Sequence, residues 1–188
     1  MDAERERIAA LAADQFHQHG ITATGVDALS RAAGISKRTL YERFGSKDGL
    51  IVAAYESLDL PVYRMFTATI EAEFDDPREQ LEAFFAQLEQ IVQLPEFRGC
   101  PFTNAASELP DRHHPAHAVV RRHKERIRKW LRERARAAGA ADPEQLSRQL
   151  MLVFAGVQSQ ALVERSARPA RDAQVVANGL LEASLAPR

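Results

Sequence analysis

Ser36, Lys37, Arg38, Thr39, Tyr41, Arg43 and Lys47 crowd into one short stretch of the chain. Hydroxyls, cations and a phenol are the donors that phosphate oxygens and the acceptor-rich edges of base pairs require. Their spacing is helical. With Leu40 and Phe44 turned inward, Lys37, Arg38, Thr39, Tyr41 and Arg43 remain on an outward face that fits a major groove. Arg38 and Thr39 fall in the first turn, where base edges are contacted, and the helix N-terminus itself attracts phosphate.

Other residue types suggest weaker chemistry. His113, His114 and His117 cluster, and His113 and His117 have the i,i+4 spacing of a metal-binding pair. Pro115 falls between them at an expected helix start, which argues against a shared helical face, so no metal is expected. Cys100 is the single cysteine, so neither an internal disulfide nor a multi-cysteine zinc site can form. Its place between Gly99 and Pro101 predicts an exposed loop, with Arg98 the only adjacent cation, and a structural thiol is the simpler reading. Nucleophile elbow, P-loop, dinucleotide fingerprint and His-Glu-x-x-His pattern are all missing. The expectation is a non-enzyme without cofactors.

Positioning a reading face requires a scaffold, and the sequence predicts one made of helices. Ile8, Leu11, Ala12 and Phe16 line a first helix ending at His19-Gly20. Val26 to Ala33 forms a second, with Gly34 after it. The third runs from Lys37 to Phe44, capped by Ser36, with Ile35 and Leu40 at the two positions of a hydrophobic staple. Ser46 caps a fourth helix from Lys47, which Pro61 should kink or end. Asp75-Asp76-Pro77 opens a helix carrying Leu81, Phe84, Phe85, Leu88, Ile91 and Val92. Pro95 to Asp111 is less regular. Long helices are expected from Pro115 to Arg136 and from Asp142-Pro143 to about Arg165, with a last one from Pro169. No window alternates as a strand would.

Taken as a sum, the net charge argues against a nucleic-acid partner: 25 basic against 26 acidic side chains in 188 residues. The distribution reverses that impression. Residues 31–47 hold five basic and one acidic side chain, whereas residues 48–120 hold four basic and thirteen acidic. The basic stretch coincides with the outward face. Residues 121–136 hold nine basic and two acidic side chains. Because Val120, Ile127 and Leu131 keep a core-facing stripe there, this helix should be a solvated face paired with the acidic middle segment.

Two short helices joined through Ala33-Gly34-Ile35-Ser36, with a first helix behind them, match a helix-turn-helix. The run from Thr24 through Gly34, Leu40-Tyr41-Glu42-Arg43-Phe44 and Lys47 to Leu50 closely resembles the DNA-binding domain of the TetR family of bacterial transcriptional regulators. Its specific parts are Leu40-Tyr41-x-x-Phe44-x-x-Lys47 and the preceding Ala33-Gly34-Ile35-Ser36. Beyond about the first quarter of the chain the similarity lies in length and helix pattern, with Phe97 to Asp111 similar to a segment of one branch of the family. The resemblance implies an all-α fold: a helix-turn-helix domain over 1–48 and a helical ligand-binding and dimerisation domain over 49–188. It implies that Thr24 contacts phosphate, that Ser36, Lys37, Arg38, Thr39, Tyr41 and Arg43 face the groove and its walls, and that Tyr41 and Lys47 act mainly on the backbone. Gly25 stands where the family often has a small hydroxyl residue. Glu42 can accept from a cytosine amino group or turn to solvent, and solvent is the expectation.

The larger part of the chain should serve two purposes. Leu150 to Val157 reads LMLVFAGV, apolar all round, so one side should meet a second chain. With the small residues of the last helix, this predicts a homodimer through Leu150, Val153, Phe154, Val157, Val176 and Leu180. The resemblance adds a ligand cavity, for which the candidates are Phe66, Phe84, Phe85, Leu88, Phe102, Asn104, His113, His117, Trp130 and Phe154. The expected function is a repressor released from its DNA operator by a small molecule. An architectural DNA binder without effector is the alternative. The mixed-charge N-terminus and the absence of a 20-residue apolar run predict a cytoplasmic protein without a membrane span.

Overall fold

The computed structural model describes residues 2–185, which form ten helices and no strand. These are α1 (Ala3–His19), α2 (Val26–Ala33), α3 (Lys37–Phe44), α4 (Lys47–Glu73), α5 (Pro77–Ala86), α6 (Leu88–Ile91), α7 (Pro101–Glu108), α8 (Ala116–Ala137), α9 (Pro143–Glu164) and α10 (Arg168–Ser184). The chain is all-α, as its periodicity predicts. Local signals set most boundaries. Ser36 accepts from the Thr39 N–H at 3.0 Å, Asp76 from Arg78 at 2.7 Å and Asp142 from Gln145 at 2.9 Å. Each occupies an N-cap and satisfies one of the donors that a helix start leaves open.

Pro61 lies inside α4, so of the two expected outcomes, a kink or a stop, the stop is excluded. Proline removes one backbone bond, but a helix of 27 residues retains the bonds on either side. The helix expected to carry its apolar stripe through Val92 breaks at Gln87 into α5 and α6, and Gln87 turns its side-chain amide to the Phe66 carbonyl at 2.9 Å. Within the irregular stretch, Pro101–Glu108 forms α7.

Two compact units divide the chain. The first comprises residues through Val62 together with Pro101–His123, and the second Tyr63–Cys100 together with Lys124 onward. In the first unit, Ile8, Ala12 and Phe16 of α1, Leu29 of α2, Leu40 and Phe44 of α3 and Leu50 of α4 are all buried. The phenylalanine ring of Phe102 meets Tyr55 edge-on at 5.7 Å and stacks on His123 at 3.6 Å between centroids. His123 Nδ1 lies 3.0 Å from the buried carboxylate of Asp59. In the second unit the core is aromatic. Phe84 lies 5.5 Å from Trp130 and 5.2 Å from Phe154, and Phe66 meets Phe154 edge-on at 5.0 Å. Helix α10 packs along α9 and against α5.

Candidate nucleic-acid interface

Helices α2 and α3 meet through a turn that requires glycine. Gly34 sits at φ 70°, ψ 28°, and the N–H of Ile35 reaches back to the Ser30 carbonyl at 3.1 Å. This is the left-handed closure that lets one helix stop and the next leave at a steep angle. Gly49 is constrained differently: a methyl group there would fall 2.0 Å from the Phe44 carbonyl oxygen. The chain between α3 and α4 therefore passes as close as backbone allows.

On this scaffold α3 buries Leu40 and Phe44 and presents the opposite side. Ser36, Lys37, Arg38 and Tyr41 are exposed and Thr39 is half-exposed. The Arg38 side chain is 88% exposed and donates through Nε to Glu42 Oε1 at 2.8 Å, one helical turn away. Glu42 is exposed, on the solvent side as expected, and carries this pairing with Arg38 there. Lys37 is paired across the turn with Asp27 of α2.

The remaining expected contacts serve the unit's own frame. Thr24 is a correction: its side chain is buried, and its hydroxyl donates to the Gly20 carbonyl at 2.6 Å, which withdraws it from a phosphate. Lys47 is half-buried, with Nζ donating to the Ile21 carbonyl at 2.8 Å. Arg43 binds Asp2 and Glu4, joining the end of α3 to the start of α1. The Glu4 N–H, then the Arg43 guanidinium, hold the Asp2 carboxyl below its ordinary range. Nothing in the local pattern signals the pairings of Arg43 and Lys47, because their partners lie tens of residues away.

The proposed cavity residues divide between the units. Phe66, Phe84, Phe85, Leu88, Trp130 and Phe154 are buried together in the second, where Trp130 Nε1–H donates to Glu71 Oε1 at 2.6 Å. Phe102, Asn104, His113 and His117 belong to the first. His113 is exposed and precedes α8, whereas His117 lies within α8 with Nε2 3.0 Å from the Leu109 carbonyl, so the pair shares no helical face. An open groove of about 650 Å³ lies between α4, α5 and α10 of the second unit, lined by Glu73, Glu79, Glu82, Gln87, Gln174 and Asn178 among others.

Cys100 and the interface depart from expectation, and the basic helix does so only in part. Cys100 is buried, not exposed, and Lys124 Nζ lies 3.2 Å from its sulfur. In α8 the cations find most of their partners close by: Arg128 and Arg132 both bind Glu144 of α9, while Arg122 reaches back to Glu56 and Asp59. Leu150, Phe154 and Val157 are buried within the single chain, because the α9 face that carries them packs inward. They present no surface to a partner. Val153 and Leu180 are partly exposed and Val176 is exposed.

A three-helix unit whose third helix carries an exposed cationic and hydroxyl face defines a helix-turn-helix DNA-binding protein. Comparison with known proteins places it within that class. The family model for bacterial regulatory proteins of the tetR family matches residues 8–54, and that for the tetracyclin repressor-like C-terminal domain matches residues 77–176. The chain is 25% identical to the HTH-type transcriptional regulator YjdC of Escherichia coli, over 95% of this chain and 93% of that one. A TetR-family transcriptional regulator from Streptomyces coelicolor, SCO4454, superposes with a TM-score of 0.87 at 25% identity, covering 96% of this chain and 95% of that one. A crystal structure described as a TetR-type transcriptional regulator (sav143) of Streptomyces avermitilis gives 0.77 at 33% identity, covering 96% and 97%. The chain belongs to the TetR family and is a DNA-binding transcriptional regulator. No helix among the described residues is long and apolar enough to cross a membrane.

Proposed function

We propose that the protein is a homodimeric repressor whose two α3 helices enter successive major grooves of a palindromic operator. The observation that carries this reading is the outward face of α3, where Ser36, Lys37, Arg38 and Tyr41 are exposed beside a half-exposed Thr39. The N-terminus of α2 supports it, because its N-cap Gly25 makes no side-chain capping bond and leaves backbone N–H groups for a phosphate. DNA recognition is assigned to residues 1–48, and effector binding and dimerisation to 49–188. Half-sites on one face of the duplex should lie ~34–36 Å apart.

The dimer contact is assigned to the outer surface of α9 and α10. Leu152, Val163 and Val175 are each more than 70% exposed there, and Val176 stands beside them. A methyl group on Gly156 or Gly179 would meet nothing within 4 Å, so both positions leave room for close helix approach. An apolar surface of this kind on one chain fits a second copy of itself.

An effector in the second unit would release the operator by binding one arrangement of the dimer more tightly than the other. Trp130, which packs on Phe84 of the aromatic core, is its natural reporter. Footprinting on DNA upstream of the gene and its neighbours tests the reading. Protection that depends on sequence and weakens with salt is expected, and its complete absence would refute operator binding.

A further inference from the structure

The segment Gly20–Gly25 connects α1 to α2 and decides where α2 begins. Its N-cap, Gly25, contributes no side chain, so the start of α2 depends on how the connection is held from outside. Three residues hold it. Thr24 closes it on itself through the Gly20 carbonyl, and Lys47 of α4 donates to the Ile21 carbonyl. The third comes from much further along the chain. Glu108, the last residue of α7, accepts the Ile21 N–H at 2.6 Å and the Thr22 N–H at 3.2 Å through one carboxylate oxygen.

Glu108 fits closely. A methyl group on Gly20 would stand 2.9 Å from that same oxygen, so the missing side chain provides the space that the carboxylate fills. Hydrogen bonds to an ionised acceptor are the stronger kind, and this one serves two neighbouring donors that no helix satisfies. Asp48 and His114 provide a second contact of the same segment with the start of α4, with His114 Nε2 3.4 Å from Asp48 Oδ1. Residues 101–117 therefore act as a strut of the DNA-binding unit, although they lie far from the helix-turn-helix in sequence.

We propose that Glu108 is a positioning residue for DNA recognition: by gripping the Ile21 and Thr22 N–H groups it fixes the loop that sets the start of α2, and through α2 the aim of α3. Glu108 itself does not touch DNA in this proposal. The inference rests on the DNA-binding reading above and adds to it a residue outside the helix-turn-helix.

The test uses the full chain and a duplex enriched from a random pool by the wild-type protein, with a scrambled duplex of equal length as control. Glu108→Ala should bind the enriched duplex about tenfold more weakly, as expected for losing a hydrogen bond to a charged group. Its affinity for the scrambled duplex should not fall, since non-specific attraction depends on charge and not on aim and the variant loses only a negative charge. Glu108→Gln retains an acceptor oxygen and should recover most of the loss. The Ile21 and Thr22 amides should exchange faster in Glu108→Ala alone. Wild-type affinity in Glu108→Ala overturns the proposal, and so does an equal loss on both duplexes accompanied by a matching drop in melting temperature. A wild-type chain that enriches no sequence overturns the DNA-binding reading and this inference with it.

Discussion

Lys37 Nζ on α3 lies 2.5 Å from Asp27 Oδ1 on α2, which ties a groove-facing cation to the neighbouring helix. Both side chains are more than half exposed, so the pair adds little to stability. Its effect falls on binding, because Asp27 competes with phosphate for the same ammonium group. Asp27→Asn should raise affinity for DNA of any sequence, by about two- to fivefold at low salt, with the gain fading as salt screens it. Anisotropy titrations across a salt series measure this directly.

Arg38 and Tyr41 should separate base reading from backbone contact. Arg38→Ala is expected to relax preference at one or two base pairs by about 1–3 kcal/mol, whereas Tyr41→Ala should weaken all duplexes alike. Because Glu42 holds the Arg38 guanidinium, Glu42→Ala should alter preference at the same base pairs and no others. Affinities for a set of singly substituted operators distinguish these outcomes.

Gly49→Ala tests the close passage between α3 and α4. The added methyl group would meet the Phe44 carbonyl at 2.0 Å, and a backbone oxygen cannot swing aside as a side chain can. The turn must open, at a cost of about 2–4 kcal/mol. Thermal and urea unfolding should both show the loss, and operator binding should fall with it.

The α8–α9 junction should govern part of the acid response. Hydrogen bonds from Arg132 and then Arg128 hold the Glu144 carboxyl below its ordinary value of 4.5. A carboxyl lowered in the folded state stabilises it above that ordinary value, and the contribution disappears as pH falls toward the folded-state value. Glu144→Gln should therefore reduce stability at neutral pH and shrink the difference from wild type in acid. Denaturant midpoints measured from pH 7 down to pH 3 check the sign.

Dimerisation should respond to the outer face of α9 and α10 and not to its inner one. Val175→Asp places a charge on a side chain that is 73% exposed, so it should leave the monomer folded while shifting sedimentation toward monomer. Phe154→Ala should instead destabilise the fold by an amount typical of a buried phenylalanine, about 3–5 kcal/mol, and lower the melting temperature accordingly.

Much of the helical framework, the DNA-binding unit included, was legible in the sequence because its signals are local. The caps Ser36, Asp76 and Asp142, the glycine after α2 and the helical spacing of Leu40 and Phe44 each act within one or two turns, so the chain declares them wherever it is read. The outward face of α3 follows from the same periodicity. What a side chain meets at long range is different, because it depends on which surfaces come together on folding. Packing turned Thr24 inward, engaged Arg43 with Asp2 and Glu4, buried Cys100 beside Lys124 and enclosed Leu150 and Phe154 within one chain. It also brought Glu108 to Ile21 across 87 positions of sequence. Most helices and the reading face follow from the chain's local pattern, since capping bonds and apolar period are properties of short segments. Which polar groups remain open to a partner follows from folding, since it depends on which distant groups already satisfy them.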